Sequence, residues 1–188
     1  MRVFVACYFS ESVTSEFVRL QERLRRIDAS ALRLTNEHKL HLTLSFFGEI
    51  SEETTESLAA GLEEIGSQRP APTVRLSSVG MFPSSRRPRV VWVGLDEIVG
   101  SLRSLQSAIE ARASELGLAR EDREFTPHLT VARLRPRARL SERVVREIGE
   151  LKVSPAESTI GEISLVQSIL GAGGATHSVL SRFALHGA

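Results

Sequence analysis

Two stretches decide how this chain folds. Residues 39–49 read Lys39-Leu40-His41-Leu42-Thr43-Leu44-Ser45-Phe46-Phe47-Gly48-Glu49, and residues 125–133 read Phe125-Thr126-Pro127-His128-Leu129-Thr130-Val131-Ala132-Arg133. Both are short, apolar and rich in β-branched or aromatic residues, which predicts strands over residues 40–47 and 125–134. Side chains alternate along a strand. His41 and Thr43 therefore share one face, with Leu42 and Leu44 on the other. His128 and Thr130 stand the same way against Leu129 and Val131. Each strand buries one face and presents an imidazole beside a hydroxyl on the other.

Working outward, His41 follows Val3 by 38 residues, and His128 follows Val90 by the same 38, so both strand pairs are displaced by 87 residues. A further strand, from His177, lies 87 residues beyond Val90. The repeat predicts two similar halves, each strand–helix–strand–helix–strand. The fold class expected is α+β: two similar lobes, each an antiparallel sheet with helices on its outer face, related by a pseudo-two-fold axis around a central cleft. No linker or composition break divides the chain, so residues 1–188 are expected to form one bilobal domain. The remaining strands are expected at 3–9, 73–82, 89–95, 162–168 and 176–185. Helices are expected at 11–27, 51–65, 97–116 and 141–151, two of them opened by Ser51 and Ser141. Residues 28–39, the basic segment 83–88, the charged segment 120–124 and the turn Gly171–Gly174 read as loops.

Composition bounds the partners. The chain has 188 residues, 41% hydrophobic and 25% charged, with 24 basic against 23 acidic residues and a net charge of +1. Disordered and fibrous classes are excluded, and an anionic partner must be met by a local patch rather than by bulk charge. The basic residues are Arg except for Lys39 and Lys152, which by itself reads as codon usage. No apolar run reaches the ~20 residues of a membrane span. A single cysteine, Cys7, leaves no intrachain disulfide and no Cys-based zinc cage. The N-terminal apolar run ends at Ser10-Glu11 without a cleavage signature, so a cytoplasmic location is the expectation.

A lone His-x-Thr is most simply half-buried sheet. Two copies at one offset point to chemistry. An imidazole titrates near pH 6.5, so one ring can accept a proton while another donates one. Two hydroxyls between them can donate to anionic oxygens. Rings on opposite sides of a phosphate suit in-line displacement, and no metal is required. His38 and His41 form His-x-x-His, but strand or loop spacing aims them apart and no carboxylate-bearing helix supports zinc. Trp92 reads as a core aromatic, the Arg86-Arg87-Arg89 loop as a solvated turn, and His177 as a strand residue that could face the cleft.

At these residues the chain resembles the two-histidine (2H) phosphoesterases, and within them the LigT-like RNA 2′,3′-cyclic phosphodiesterases, or 2′-5′ RNA ligases. Beyond the two motifs, Arg2-Val3-Phe4-Val5-Ala6 and Phe82-Pro83-Ser84-Ser85-Arg86-Arg87-Pro88-Arg89-Val90-Val91-Trp92-Val93-Gly94 resemble the family, and the likeness extends over nearly the whole chain. The resemblance implies metal-independent hydrolysis of RNA 2′,3′-cyclic phosphate ends to 2′-phosphomonoesters, with reverse 2′-5′ ligation at the same site. It implies His41 as proton donor, His128 as proton acceptor, and Thr43, Thr130 and Arg133 as phosphate-binding groups. It implies no cofactor and no metal; the partner is an RNA end or a cyclic nucleotide, and a monomer is expected. An ideal strand would turn Arg133, five residues on, away from His128; only a bulge or the strand end brings it back. Three positions depart from the family. Arg33-Leu34-Thr35 stands where an aromatic is common, His177 where a Tyr is common, and Ile169 near a common Arg. Two alternatives stay open: a small substrate such as an ADP-ribose cyclic phosphate, or a non-catalytic RNA-end binder.

Overall fold

The computed structural model describes residues 1–37, 40–119, 124–171 and 174–187. His38, most of the charged loop at 120–124 and the tip of the Gly171–Gly174 turn lie outside the described residues. In chain order the elements are β1 (Arg2–Cys7), α1 (Glu11–Asp28), β2 (Leu32–Leu34), β3 (Leu42–Glu49), α2 (Glu52–Gln68), β4 (Thr73–Phe82), β5 (Val90–Val99), α3 (Leu102–Glu115), β6 (His128–Leu134), α4 (Glu142–Gly149), β7 (Glu157–Thr159), β8 (Glu162–Gly171) and β9 (Gly174–Ala184).

Each helix among the described residues starts behind a serine. Ser51, Ser101 and Ser141 accept from the backbone N–H three residues on, satisfying a donor that has no partner within the helix. Ser10 instead ties the start of α1 to β7: its N–H donates to Ser158 Oγ and its hydroxyl to the Glu157 carbonyl, each at 2.9 Å. Val13, Phe17, Leu20 and Leu24 fall at helical spacing and are buried, so α1 holds its place by packing. α3 begins at Leu102 rather than at the expected Glu97. Asp96, Glu97 and Val99 remain paired to β4, and Gly100, at φ +68°, makes the turn that lets Ser101 cap the helix.

All strand pairs in the two sheets are antiparallel, in the orders β3-β1-β8-β9 and β2-β6-β5-β4-β7. This is the expected α+β arrangement of two similar sheets with helices, but each lobe is assembled from both halves of the chain. β1 and β3 of the first half are completed by β8 and β9 from the end of the chain; β5 and β6 of the second half are completed by β4 from the first. The helices cross over too. α1 packs on β6 and α4 on β4, while α3 packs on β3 and α2 on β8 and β9. β9 is the edge partner of β8, not a third copy of the repeated strand.

One buried cluster joins both sheets, with Val3, Val5, Cys7, Leu42 and Leu44 from one side and Val91, Val93, Leu129 and Val131 from the other. It pins the register of both motif strands. Turning either by one residue would exchange Leu42 or Leu129 for His41 or His128 in the core. Truncating either leucine to alanine costs about 2–5 kcal/mol. On the opposite face of β1 a small second cluster forms, with Phe4, Ala6 and Val166 buried and Val179 against them. β1 is therefore covered on both faces, and Phe4 forms the floor of what lies above it.

Candidate active site

His41, Thr43, His128, Thr130 and Arg133 line one cavity of about 330 Å³, together with Thr35, Leu40, Ala175 and His177. The two motifs, far apart in sequence, therefore open onto the same space from two sheets. Leu42 and Leu129 are buried behind them, as the alternation requires.

The pairing of each motif strand contains the same irregularity. In β3, Ser45 pairs with Val5 and Thr43 with Ala6, so Leu44 has no partner. In β6, Ala132 pairs with Val91 and Thr130 with Trp92, so Val131 has none. A β-bulge thus sits at the fourth position of both motifs, and in each strand the bulged residue and the next one are both buried. The extra residue at Val131 restores the parity that an ideal strand would break. It turns Arg133 onto the face of His128 and Thr130, and Arg133 lines the cavity with them. The bulge also corrects the repeat itself: Phe4 pairs with Phe46 as Val90 pairs with Arg133, so β1 and β5 correspond at an offset of 86 rather than 87.

The Val131 carbonyl, displaced from the ladder, accepts from the Thr35 N–H at 2.9 Å and from the Gln21 side-chain amide at 3.1 Å. Gln21, buried on α1, also donates to the Thr35 carbonyl at 2.7 Å. It thereby holds the bulge and the segment before the first motif together. Gln21 was invisible in the sequence, where it reads as one more polar helix residue. In that preceding segment, Thr35 reaches the cavity and Arg33 pairs directly across from Arg133.

The two imidazoles have different surroundings. His128 Nδ1 lies 2.6 Å from the Thr126 carbonyl. A carbonyl only accepts, so Nδ1 carries the proton; in the neutral ring Nε2 then holds the lone pair. Phe82 meets the ring edge-on at 4.9 Å, and Trp92 lies 6.0 Å away. Trp92, expected in the core, is only half-buried. Its indole lies across Gly80, where an added Cβ would come within 2.1 Å of the ring, and it supports the His128 side of the cleft. His41 rests on Phe4 at 5.2 Å and meets His177 edge-on at 5.2 Å, with Tyr8 at 6.4 Å. His177 also contacts Phe4, at 5.0 Å. The strand face exposed at His177 is thus the cleft face, and a third imidazole stands beside the first. Burial pushes the Tyr8 phenol above its ordinary 10.0 while the Arg182 charge pulls it down; the net shift is upward, so the phenol keeps its proton at neutral pH.

A second cavity of about 630 Å³ shares Thr43, His128, Thr130 and Arg133 with the first and adds Phe46, Phe82, Pro83, Phe125 and Arg89. Among the described residues no group of three or more His, Cys, Asp or Glu is gathered as metal ligands are, and no helix is long and apolar enough to cross a membrane.

Comparison with known proteins identifies the family. The profile of the 2′-5′ RNA ligase superfamily matches residues 12–171. A protein of Aeropyrum pernix named RNA 2′,3′-cyclic phosphodiesterase is 33% identical over 79% of this chain and 84% of its own length. One of the same name from Thermus thermophilus is 32% identical, over the whole of this chain and 91% of that protein. The solved structure of TT0787 from Thermus thermophilus superposes with a TM-score of 0.82 at 27% identity, covering 100% of this chain and 99% of that one. Escherichia coli LigT in apo form gives 0.75 at 25% identity, covering 98% and 97%. The profile covers most of the chain, and the Aeropyrum pernix protein matches it at 33% identity over 79% of its length, so the chain belongs to the 2′-5′ RNA ligase superfamily.

Proposed function

We propose that this protein is an RNA 2′,3′-cyclic phosphodiesterase that opens the cyclic phosphate to a 2′-phosphomonoester by two-imidazole acid–base catalysis, without a metal. The observation that carries the reading is the gathering of His41, Thr43, His128, Thr130 and Arg133 around one cavity. The names of the relatives and the LigT-like frame support the cyclic phosphodiesterase class.

In this reading the cyclic phosphate lies between the rings. The Nδ1–H bond to Thr126 fixes His128 with its Nε2 lone pair available, so it takes a proton from water. The water oxygen bonds to phosphorus in line with the 3′ oxygen. The P–O3′ bond breaks as His41 delivers its proton to that oxygen. Thr43 and Thr130 donate to the non-bridging oxygens, and Arg133 balances the charge that builds there. The products are a 3′-hydroxyl and a 2′-phosphate, and the two rings exchange protons with solvent to reset. If a 5′-hydroxyl replaces water, the same steps form a 2′-5′ bond, and water in large excess favours hydrolysis.

The test is incubation with an oligoribonucleotide ending in a 2′,3′-cyclic phosphate, with and without EDTA. A 2′-phosphomonoester formed at equal rates in both is expected. A 3′-phosphomonoester, dependence on metal, or binding without turnover would overturn the reading. Turnover of an ADP-ribose cyclic phosphate in preference to any RNA end would favour the small-nucleotide alternative.

A further inference from the structure

Beyond the cleft, Arg86, Arg87, Arg89, Arg137 and Arg139 line a third cavity of about 590 Å³. No carboxylate lines it, and among the described residues none of the five forms an ion pair. All five are exposed. The loop 83–88 on its own reads as a solvated turn. The fold adds a second arginine-bearing segment opposite it, where β6 ends against the start of β5 and the Leu134 N–H donates to the Arg89 carbonyl. That segment turns sharply, with the Ala138 N–H on the Arg135 carbonyl. Arg137 sits in the turn at φ +65°, the only non-glycine residue at positive φ among the described residues. Glycine would adopt that conformation without strain, so an arginine there is held against its backbone preference.

The three cavities are neighbours. The first and second share Arg133, and the second and third share Arg89. The track runs along β6 from His128 past Arg133 to Arg137, and β6 alone spans roughly 20 Å at ~3.4 Å per residue. We infer that this arginine arm binds the backbone phosphates of the RNA strand upstream of its cyclic end, so that the preferred substrate is an oligonucleotide rather than a cyclic mononucleotide. The inference rests on the proposed function. The planar guanidinium forks suit phosphate oxygens, and contacts to backbone alone leave base sequence unread. Phe46, Phe82 and Phe125 in the middle cavity offer aromatic surface to the bases between the terminal phosphate and the arm.

The test compares the wild type with the double variant Arg137→Glu/Arg139→Glu on a cyclic-phosphate-ended oligoribonucleotide and on a 2′,3′-cyclic mononucleotide. A second variant, Arg25→Glu/Arg26→Glu on the exposed side of α1, makes the same change in net charge elsewhere. The arm variant should lose at least about tenfold in kcat/KM on the oligonucleotide and nothing on the mononucleotide, and the α1 variant should resemble the wild type on both. The slope of log affinity against log salt, measured by oligonucleotide binding, should fall by about 1.4 for two lost phosphate contacts on a single strand. Equal losses on both substrates, an equal effect of the α1 variant, or an unchanged salt slope would overturn the inference. A wild type that turns over neither substrate would instead overturn the proposed function, and the binding slope would still read out the arm.

Discussion

The strands β3 and β6 carry the same motif, the same bulge and the same buried leucine, yet their imidazoles stand in different company. His128 is fixed through Nδ1 to a backbone carbonyl and shares its face with Arg133. His41 lies against rings: Phe4 beneath it and His177 at its edge. The position in β3 that corresponds to Arg133 holds Phe46, with the Arg2 guanidinium 4.7 Å above its ring. The lesson is that the repeated scaffold sets where the two rings stand, and side chains that differ between the two copies set their surroundings. In the proposed reaction, a lone-pair nitrogen beside the Arg133 guanidinium suits proton removal near a building negative charge.

The sharpest way to break this comparison is to remove each ring. His41→Ala and His128→Ala should each lower turnover of a cyclic-phosphate end by at least ~10². An activated aryl phosphodiester, whose leaving group needs no proton, should restore rate to His41→Ala and not to His128→Ala; equal rescue would mean the roles are not divided as proposed. Next in size, Arg133→Ala should cost about 10- to 100-fold in kcat/KM, the scale of a hydrogen bond to a charged group. Phe46→Ala at the corresponding position should cost less than about tenfold. Gln21→Leu tests the bulge: it should cost about 2- to 10-fold in kcat/KM through misplacement of Arg133, and no further loss when combined with Arg133→Ala. His177→Ala should lower kcat by a factor of about 2 to 10 by freeing the His41 ring, and His177→Phe, which keeps the edge contact, should retain most of it.

The smallest effect is expected in the core. Cys7 pairs with Leu42 as Val93 pairs with Leu129, so the other lobe already shows valine at the corresponding place. Cys7→Val should change stability by less than about 1.5 kcal/mol at pH 7. Burial pushes the thiol from 9.0 up to about 12. The unfolded chain therefore releases this proton first, so the wild type loses stability relative to Cys7→Val as pH rises from 9.0 toward 12, with no difference in slope below. Denaturant midpoints across that range check the sign, and a thiol reagent should find the folded wild type unreactive at neutral pH.

Period-two alternation made the motif strands and their buried faces legible, and β4 matched residue for residue, because a covered face forces a pattern that any reader can see. β2 and β7 were not legible: three residues carry no alternation, and both exist because β6 and β4 offer an edge to pair with. Arg133 could be placed only conditionally, since the sequence does not say where a bulge falls. The crossing of strands between lobes left no trace either, because equivalent strands share one pattern and either sheet would accept it. His177 and Trp92 show the same limit. Their residue types fit core and cleft alike, and only the neighbours Phe4, His41 and Gly80 decide between them.

The crossing has a consequence for how the molecule comes into being on the ribosome. β1 is made well before β8, and its apolar residues from Val3 to Ala6 pair with Ser164–Gln167 of that strand. Until β8 is made that edge has no partner, and the nascent chain must be kept from pairing it with a stranger. The wall of the cleft that His177 provides arrives only when β9 closes the sheet, so a truncated polypeptide would lack a finished site.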